Sequence, residues 1–471
     1  MVMLLEQHYL GCLSQASYFI ADPDAGVAAV VDPRRDVELY LERAAELGVE
    51  IRHVLLTHFH ADFLAGHLEL ARRTGATIRL GAAARADYAF EPFREGEPID
   101  LGDVRLEVLE TPGHTPESIS ILAFDRAADP ARPHAVLTGD TLFVGDVGRP
   151  DLMASSGFAA EELAGMLYDS LHGKLLRLPD ETLLYPGHGA GSACGKSMSS
   201  ETACTIGRQR RTNYALQPMS KEEFVALVTA GQPPAPAYFP RAATKNRSLH
   251  APLDEELERL HALSLAQVLA EKSKGAQVVD VRSKDEFARE HLAGSISIGL
   301  DGRYASWAGT LLDLDAPIVL VAAPGMEKEA ALRLGRIGLD RVVGYLDGGP
   351  AAWRDQPDLT GSVARVDVAG AARELAGAGA PLVLDVRTSA EHVGAHVAGS
   401  VAIPLAELDR RVDEVPRDRR VLVHCKSGYR SMTAASLLQR RGHARVVDVA
   451  GGLDAWLAAG LPVVRRERAE S

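Results

Sequence analysis

The sequence predicts a multidomain protein of α/β and α+β class, on three observations. Segments between residues 278 and 353 recur about 105 residues further on, a period of domain size and too long for a solenoid. In both copies short apolar runs alternate with amphipathic helical stretches, which predicts a parallel sheet covered by helices. Ahead of the repeat, four apolar runs each end in a loop bearing histidine or aspartate, often beside a glycine that lets the backbone turn.

Composition bounds the function. A chain of 471 residues with 46% apolar content is globular and suits roughly two to four domains. The net charge of -13 argues against nucleic acid as a main partner. No apolar run approaches the roughly 18 residues of a membrane span. The start, Met1 to His8, has no basic region and no long apolar core, so no signal peptide is expected. Four scattered cysteines, Cys12, Cys194, Cys204 and Cys425, form no Cys-x-x-Cys pair, which fits a cytoplasmic protein with free thiols. Cys12 and Cys204 read as structural.

The first apolar run, His53–Leu56, leads into Thr57-His58-Phe59-His60-Ala61-Asp62. Spacing of i, i+2, i+4 in an extended loop lets imidazoles and a carboxylate converge, and that mixture suits a first-row metal. His114 follows the run Val104–Leu109, Asp140 follows Ala135–Thr138, and His188 follows Thr182–Tyr185. The ordered set points to a metal site. A helix is expected after Ser220, capped with Glu223 three residues on. The proline cluster Gln232–Tyr238 marks a connector, with a boundary near residues 245 to 260.

In the repeat, Val278-Val279-Asp280-Val281-Arg282 recurs as Val383-Leu384-Asp385-Val386-Arg387, and His291–Ser295 recurs as His396–Ser400. Gly348-Gly349 with Trp353 recurs as Gly451-Gly452 with Trp456. The copies differ where chemistry would occur. The second carries Cys425-Lys426-Ser427-Gly428-Tyr429-Arg430, running into a helix expected near Ser431. Inward N–H groups and the Arg430 charge would favour a thiolate, or a persulfide anion, on Cys425. The first copy aligns Ala323 with Cys425 and Lys328 with Arg430, so it has no nucleophile, and Glu327 would repel an anion.

On these motifs, roughly the first 245 residues resemble the metallo-β-lactamase superfamily, and the chain from about residue 262 resembles two rhodanese domains. The resemblance implies an N-terminal αβ/βα sandwich of two mixed sheets over residues 1–250. It implies a rhodanese-like domain without its cysteine over 262–358 and an active one over 365–468, both with parallel sheets. Cysteine-based phosphatases use five residues between Cys and Arg, whereas here there are four, as in the sulfur-transferring rhodaneses. The role of the middle domain stays open.

Many hydrolases of the superfamily bind two zinc ions, the second through an Asp-His pair. Here Phe63 follows Asp62, so one such ligand is missing. A mononuclear centre of His58, His114 and Asp140 is therefore expected, the two-histidine, one-carboxylate set of non-heme Fe(II) oxygenases. The segments Thr57–His67, Gly145–Leu152 and Gly189–Lys196 are similar to those of persulfide dioxygenases, and the whole chain resembles bacterial persulfide dioxygenase–rhodanese fusions. The resemblance implies one Fe(II) per chain, with zinc as the alternative. It implies oxidation of a small thiol persulfide by O₂ to sulfite and thiol, and a rhodanese step linking sulfite, persulfide and thiosulfate, as in sulfide detoxification. His60, Asp62 and His188 would orient ligands or water. Arg149 either meets a substrate carboxylate or forms a surface salt bridge; Cys194 either relays sulfur or is a plain loop thiol. Glutathione, coenzyme A and bacillithiol are all open as the thiol, as is assembly into homo-oligomers. The rival readings are a dinuclear zinc thioester hydrolase of the glyoxalase II type with a fused sulfurtransferase, and a non-enzymatic sulfur carrier or sensor.

Overall fold

A computed structural model describes residues 3–154 and 157–465. Met1, Val2 and the last residues of the expected third domain lie outside them. The chain forms two compact units, Met1–Glu256 with Leu334–Gly338, and Leu257–Arg333 with Leu339–Ser471. Among the described residues no helix is long and apolar enough to cross a membrane.

The first unit holds two six-stranded sheets. In spatial order the first runs Leu4–Leu10, Gln15–Asp22, Val27–Val31, Glu50–Leu55, Thr77–Gly81 and Glu91–Phe93. Its first three strands are antiparallel and the rest parallel. The second runs Cys204–Thr205, Leu183–Pro186, Ala135–Gly139, Ile119–Asp125, Val104–Glu110 and Ile99–Leu101. It is also mixed, with Ala135–Gly139 parallel to Leu183–Pro186 and antiparallel to Ile119–Asp125. Period-two alternation builds the layers. Ala16, Tyr18 and Ile20 point between the sheets, where they meet Leu106, Val108, Ile121 and Leu137. Phe19 and Ala21 point outward, against Tyr40 and Ala44 of the helix Glu38–Leu47. On the far side Leu122, Phe124 and Val136 pack against Ala164, Leu167 and Leu171 of the helix Ala160–Gly173, with Phe224. The result is an αβ/βα sandwich. The helix after Ser220 is Lys221–Thr229, and its capping box with Glu223 is present.

The second unit holds both copies of the repeat. The first copy's sheet runs Ala262–Leu263, Val342–Leu346, Ile318–Val321, Gln277–Asp280, Ile296–Ser297, all parallel. The second repeats the order with Ala364–Val366, Val446–Val449, Val421–His424, Leu382–Asp385, Val401–Ala402, again parallel. In both, the Asp-Val-Arg segment ends the strand beside the central one in a buried ion pair: Arg282 Nη2 lies 2.5 Å from Asp280 Oδ2, and Arg387 Nη2 lies 2.6 Å from Asp385 Oδ2. The buried Trp353 and Trp456 close the two cores.

Candidate metal centre and thiol loop

Strand ends bring the first unit's donors together. Glu50–Leu55 delivers His58, Val104–Glu110 delivers His114, Ala135–Gly139 delivers Asp140, and Leu183–Pro186 delivers His188. Gly139 turns with a φ of 48°, and a Cβ there would stand 2.4 Å from Thr57 Oγ1, so only glycine fits where these two loops meet.

The ring nitrogens are oriented from behind. His58 Nδ1 meets Thr57 Oγ1 at 3.0 Å, and that hydroxyl itself donates to Asp32 Oδ2 at 2.8 Å. His114 Nδ1 meets the Arg149 carbonyl at 2.9 Å, and His188 Nδ1 meets the Ser14 carbonyl at 3.0 Å. Each Nδ1 thus carries the proton and leaves Nε2 as a lone-pair donor facing inward. His58 Nε2 and His114 Nε2 lie 3.8 and 3.5 Å from Asp140 Oδ2. Donors bound to one ion at ~2.0–2.2 Å sit at about such spacings.

The buried polar atoms fit an ion as well. Both Asp140 carboxylate oxygens and His188 Nε2 are buried without a hydrogen-bond partner, which is costly unless a cation satisfies them. Burial, and then the neighbouring imidazoles, hold His58 well below the usual imidazole range, as suits a neutral ligand. Burial also lowers His114. At His188 burial is outweighed by the Asp140 and Asp62 carboxylates, which push it up to about 10, so a proton fills the place a cation would take.

His60 Nε2 lies 2.9 Å from Asp32 Oδ1, which leaves its buried Nδ1 as the free donor, and Phe63 packs on its ring at 4.3 Å between centroids. Asp62 Oδ2 lies 3.3 Å from His188 Nε2. The sequence leaves this second position short of ligands, and the structure brings more donors near it. His60, Asp62 and His188 form one further donor group, and Asp140, His188 and Cys194 another. Phe63 removes one local ligand, but Asp140 and Cys194 approach from other loops. Cys194 is buried, and burial and then Asp62 and Asp140 raise its thiol well above the usual range.

Arg149 is neither a surface residue nor free for substrate. It is 1% exposed, its guanidinium bonded to Asp151 and to the carbonyls of Ala193 and Pro233. A cleft of about 160 Å³ opens beside His114, lined by Phe59, Met153, Phe239 and Arg247. Sequence reasoning missed Arg247. It also missed Asp32, which accepts from Thr57 N at 2.8 Å as well as from Thr57 Oγ1 and His60. A lone Asp-Pro at a strand end was its only signal.

In the second unit the strand Val421–His424 ends at Cys425, and the helix begins at Tyr429, two residues before the expected start. Gly428 N donates to Cys425 Sγ at 3.1 Å, and the thiol lies 3.6 Å from Ser431 Oγ, which donates to the buried Asp448 at 2.6 Å. The Gly451-Gly452 pair supports this loop from below. Leu453 N and Asp454 N donate to the carbonyls of Cys425 and Lys426 at 2.8 and 2.9 Å. Lys426 and Ser427 are exposed at the rim. Arg430 has a partner the sequence did not show: its guanidinium is paired with both oxygens of Glu391 at 2.7 Å, while its charge still acts on Cys425. Burial opposes ionisation of Glu391, but the Arg430 bonds win and hold it down at about 2. At the matching place in the first copy the strand Ile318–Val321 leads to Ala323, with no thiol.

Comparisons with known proteins agree with these two units. Residues 10–188 match the metallo-beta-lactamase superfamily, and residues 264–356 and 368–459 each match the rhodanese-like domain. A hydroxyacylglutathione hydrolase of Rhodospirillum rubrum is 33% identical over 250 residues, covering 52% of this chain and 87% of the relative. The mitochondrial persulfide dioxygenase ETHE1 of Homo sapiens is 28% identical over 252 residues, with the same coverage of 52% and 87%. Among solved structures, a metallo-beta-lactamase from Staphylococcus aureus subsp. aureus COL superposes with a TM-score of 0.65 at 32% identity, covering 73% of this chain and 99% of that one.

Proposed function

We propose, for a chain that belongs to the metallo-beta-lactamase superfamily and carries two rhodanese-like domains, that the first unit is a persulfide dioxygenase and the second a sulfurtransferase acting on the same sulfur. The observation that carries the reading is the inward-facing set of His58, His114 and Asp140, with His60 held on Asp32 outside it. Two imidazoles and one carboxylate suit Fe(II), which when bound would supply O₂ activation and a position for a soft sulfur anion. The overall reaction takes a thiol persulfide, O₂ and water to the thiol, sulfite and two protons.

The protein's own groups then have defined tasks. Thr57, the Arg149 carbonyl and the Ser14 carbonyl fix the ring orientations of His58, His114 and His188. Phe59, Met153 and Phe239 keep water from the sulfur, and Arg247 stands in the cleft where the thiol's carboxylate can reach it. This role passes from Arg149, whose guanidinium is already bonded. Cys194, beside Asp140 and His188, is the thiol available to pass sulfur near the centre.

In the second unit Cys425 as thiolate attacks the outer sulfur of a persulfide. The S–S bond breaks, the small thiol leaves with a proton, and Cys425 keeps the sulfur as a persulfide anion held by Gly428 N–H. Sulfite attacks that outer sulfur, thiosulfate forms and the Cys425 thiolate returns. Protein loaded anaerobically with Fe(II) should consume O₂ with glutathione persulfide and release sulfite and thiosulfate that together match the O₂ consumed. Thiosulfate formation should vanish in Cys425→Ser, an outcome that a non-enzymatic sulfur carrier does not produce.

One observation favours a second reading. The donors around His188 can hold a second ion, as a zinc thioester hydrolase would require. Two zinc ions per chain, thioester hydrolysis and no O₂ uptake would decide for it.

A further inference from the structure

The copy without a nucleophile builds one wall of the Cys425 loop. Its strand Ile296–Ser297 packs against the helix Tyr429–Arg440, and Ser297 N donates to Ser436 Oγ at 3.0 Å. Tyr429 Oη donates to the Gly299 carbonyl at 2.7 Å, and Arg333 braces that turn through the carbonyls of Leu300 and Gly302. Lys284 enters at the same place. A Cβ on Gly428 would stand 3.3 and 3.6 Å from Lys284 Cε and Cδ, so the lysine stem lies along the open face of the residue whose N–H holds Cys425 Sγ.

The charges nearby show what Lys284 is free to do. Arg430 is bound to Glu391, Arg387 to Asp385, and Arg365 lies between Asp448 and Asp285. Among the described residues Lys284 and Lys426 make no hydrogen bond or ion pair, and the Lys284 charge acts on the buried Asp448 carboxylate behind the loop. A persulfide anion on Cys425 and an incoming sulfite repel each other, and an ammonium beside Gly428 offsets that repulsion. The Asp-Val-Arg register aligns Lys284 with Ser389, so the cation belongs to the middle copy and the thiol copy has none there.

We propose that Lys284, supplied by the copy that lacks a cysteine, is a specificity-determining residue of the Cys425 site and selects a small sulfur oxyanion, sulfite or thiosulfate, as the reaction partner. The inference rests on the sulfurtransferase reading for its purpose, and its test does not require turnover. Thiosulfate should protect Cys425 from alkylation by neutral iodoacetamide, read on the Cys425 peptide by mass spectrometry in the full chain. Lys284→Gln should weaken that protection about tenfold, while Lys284→Arg should hold it near the wild-type level. In steady state Lys284→Gln should raise the KM for sulfite by a similar factor with kcat little changed, and leave the KM for the neutral acceptor 2-mercaptoethanol unaltered. Equal protection and equal sulfite KM in wild type and Lys284→Gln would overturn the role of Lys284, even with thiosulfate still being formed. A chain that forms no thiosulfate, yet loses anion protection in Lys284→Gln, would keep the anion site and overturn only the sulfurtransferase reading.

Discussion

Replacing Gly302 by alanine should damage the Cys425 loop from the neighbouring copy. A Cβ on Gly302 would stand 2.4, 2.6 and 2.8 Å from Cε2, Cζ and Cδ2 of Tyr429. Carbon atoms rest at about 3.5–4.0 Å, so the ring must retreat by roughly 1 Å. It has little freedom to do so, because its hydroxyl is bonded to the Gly299 carbonyl at 2.7 Å and it opens the helix Tyr429–Arg440. Overpacking of this kind costs ~1–3 kcal/mol. For a unit of this size that is a fall in Tm of about 2–12 °C. The displacement passes to Gly428, the adjacent residue, whose N–H holds Cys425 Sγ. Calorimetry of the full chain should therefore show a lower transition for the second unit, and Cys425-dependent thiosulfate formation should fall. The metal content of the first unit should not change. Adding Tyr429→Ala removes the ring, so Gly302→Ala should then cost almost nothing more, a non-additivity of roughly 1–3 kcal/mol. An unchanged Tm together with unchanged thiosulfate formation in Gly302→Ala would refute the packing of one copy against the other's thiol loop.

Three further outcomes are expected. Asp32→Ala removes the acceptor for Thr57 and His60; metal affinity, measured by chelator competition, should drop ~10–100-fold although no ligand is touched. Glu391 has its carboxyl held at about 2 rather than 4.5 by Arg430, so its contribution is present above pH 4.5 and is lost as pH falls toward 2. That contribution is at most ~3 kcal/mol and nearer ~1 after solvent screening, so urea denaturation should separate wild type from Glu391→Gln at pH 6 and bring them together near pH 2. Arg149→Ala should lower thermal stability by roughly 3–5 kcal/mol, by leaving Asp151 and two carbonyls unpaired, without raising the KM for glutathione persulfide. Arg247→Ala should do the reverse.

These contrasts show which parts of the molecule a sequence makes legible. The metal ligands stand out because coordination demands particular donor types, and because a strand end can present them from a few adjacent residues. Their supports do not. Thr57 and Asp32 are 25 residues apart, and Arg430 and Glu391 are 39 apart, so nothing local marks either pair. The same limit explains Phe63: judged by its neighbours it deletes a second metal position, whereas Asp140 and Cys194 reach His188 from loops that only the fold brings together. Arg149 makes one of its two expected contacts, an ion pair with Asp151, but it does so buried, since a lone arginine in a loop reads as exposed until the Pro233 carbonyl is seen to accept from it.

The repeat carries the argument one step further. The pairs Asp280–Arg282 and Asp385–Arg387 have nearly the same geometry, although only one copy has a thiol. The motif therefore closes its strand in the same way with or without a thiol nearby. A copy that keeps this closure while placing Ala323 where the other has Cys425 has kept its shape for a reason other than catalysis. Its strand Ile296–Ser297, its Gly299 carbonyl, Gly302 and Lys284 all meet the other copy between Gly428 and Ser436, where the Cys425 loop runs into its helix. Removing the copy would leave the buried Ser436 and Tyr429 hydroxyls facing water and the Cys425 loop without its bracing. The shape of the middle copy is accordingly part of the thiol site, and a cysteine placed at Ala323 would not restore a second one, because the acidic Glu327 opens the following helix where the other copy has Tyr429.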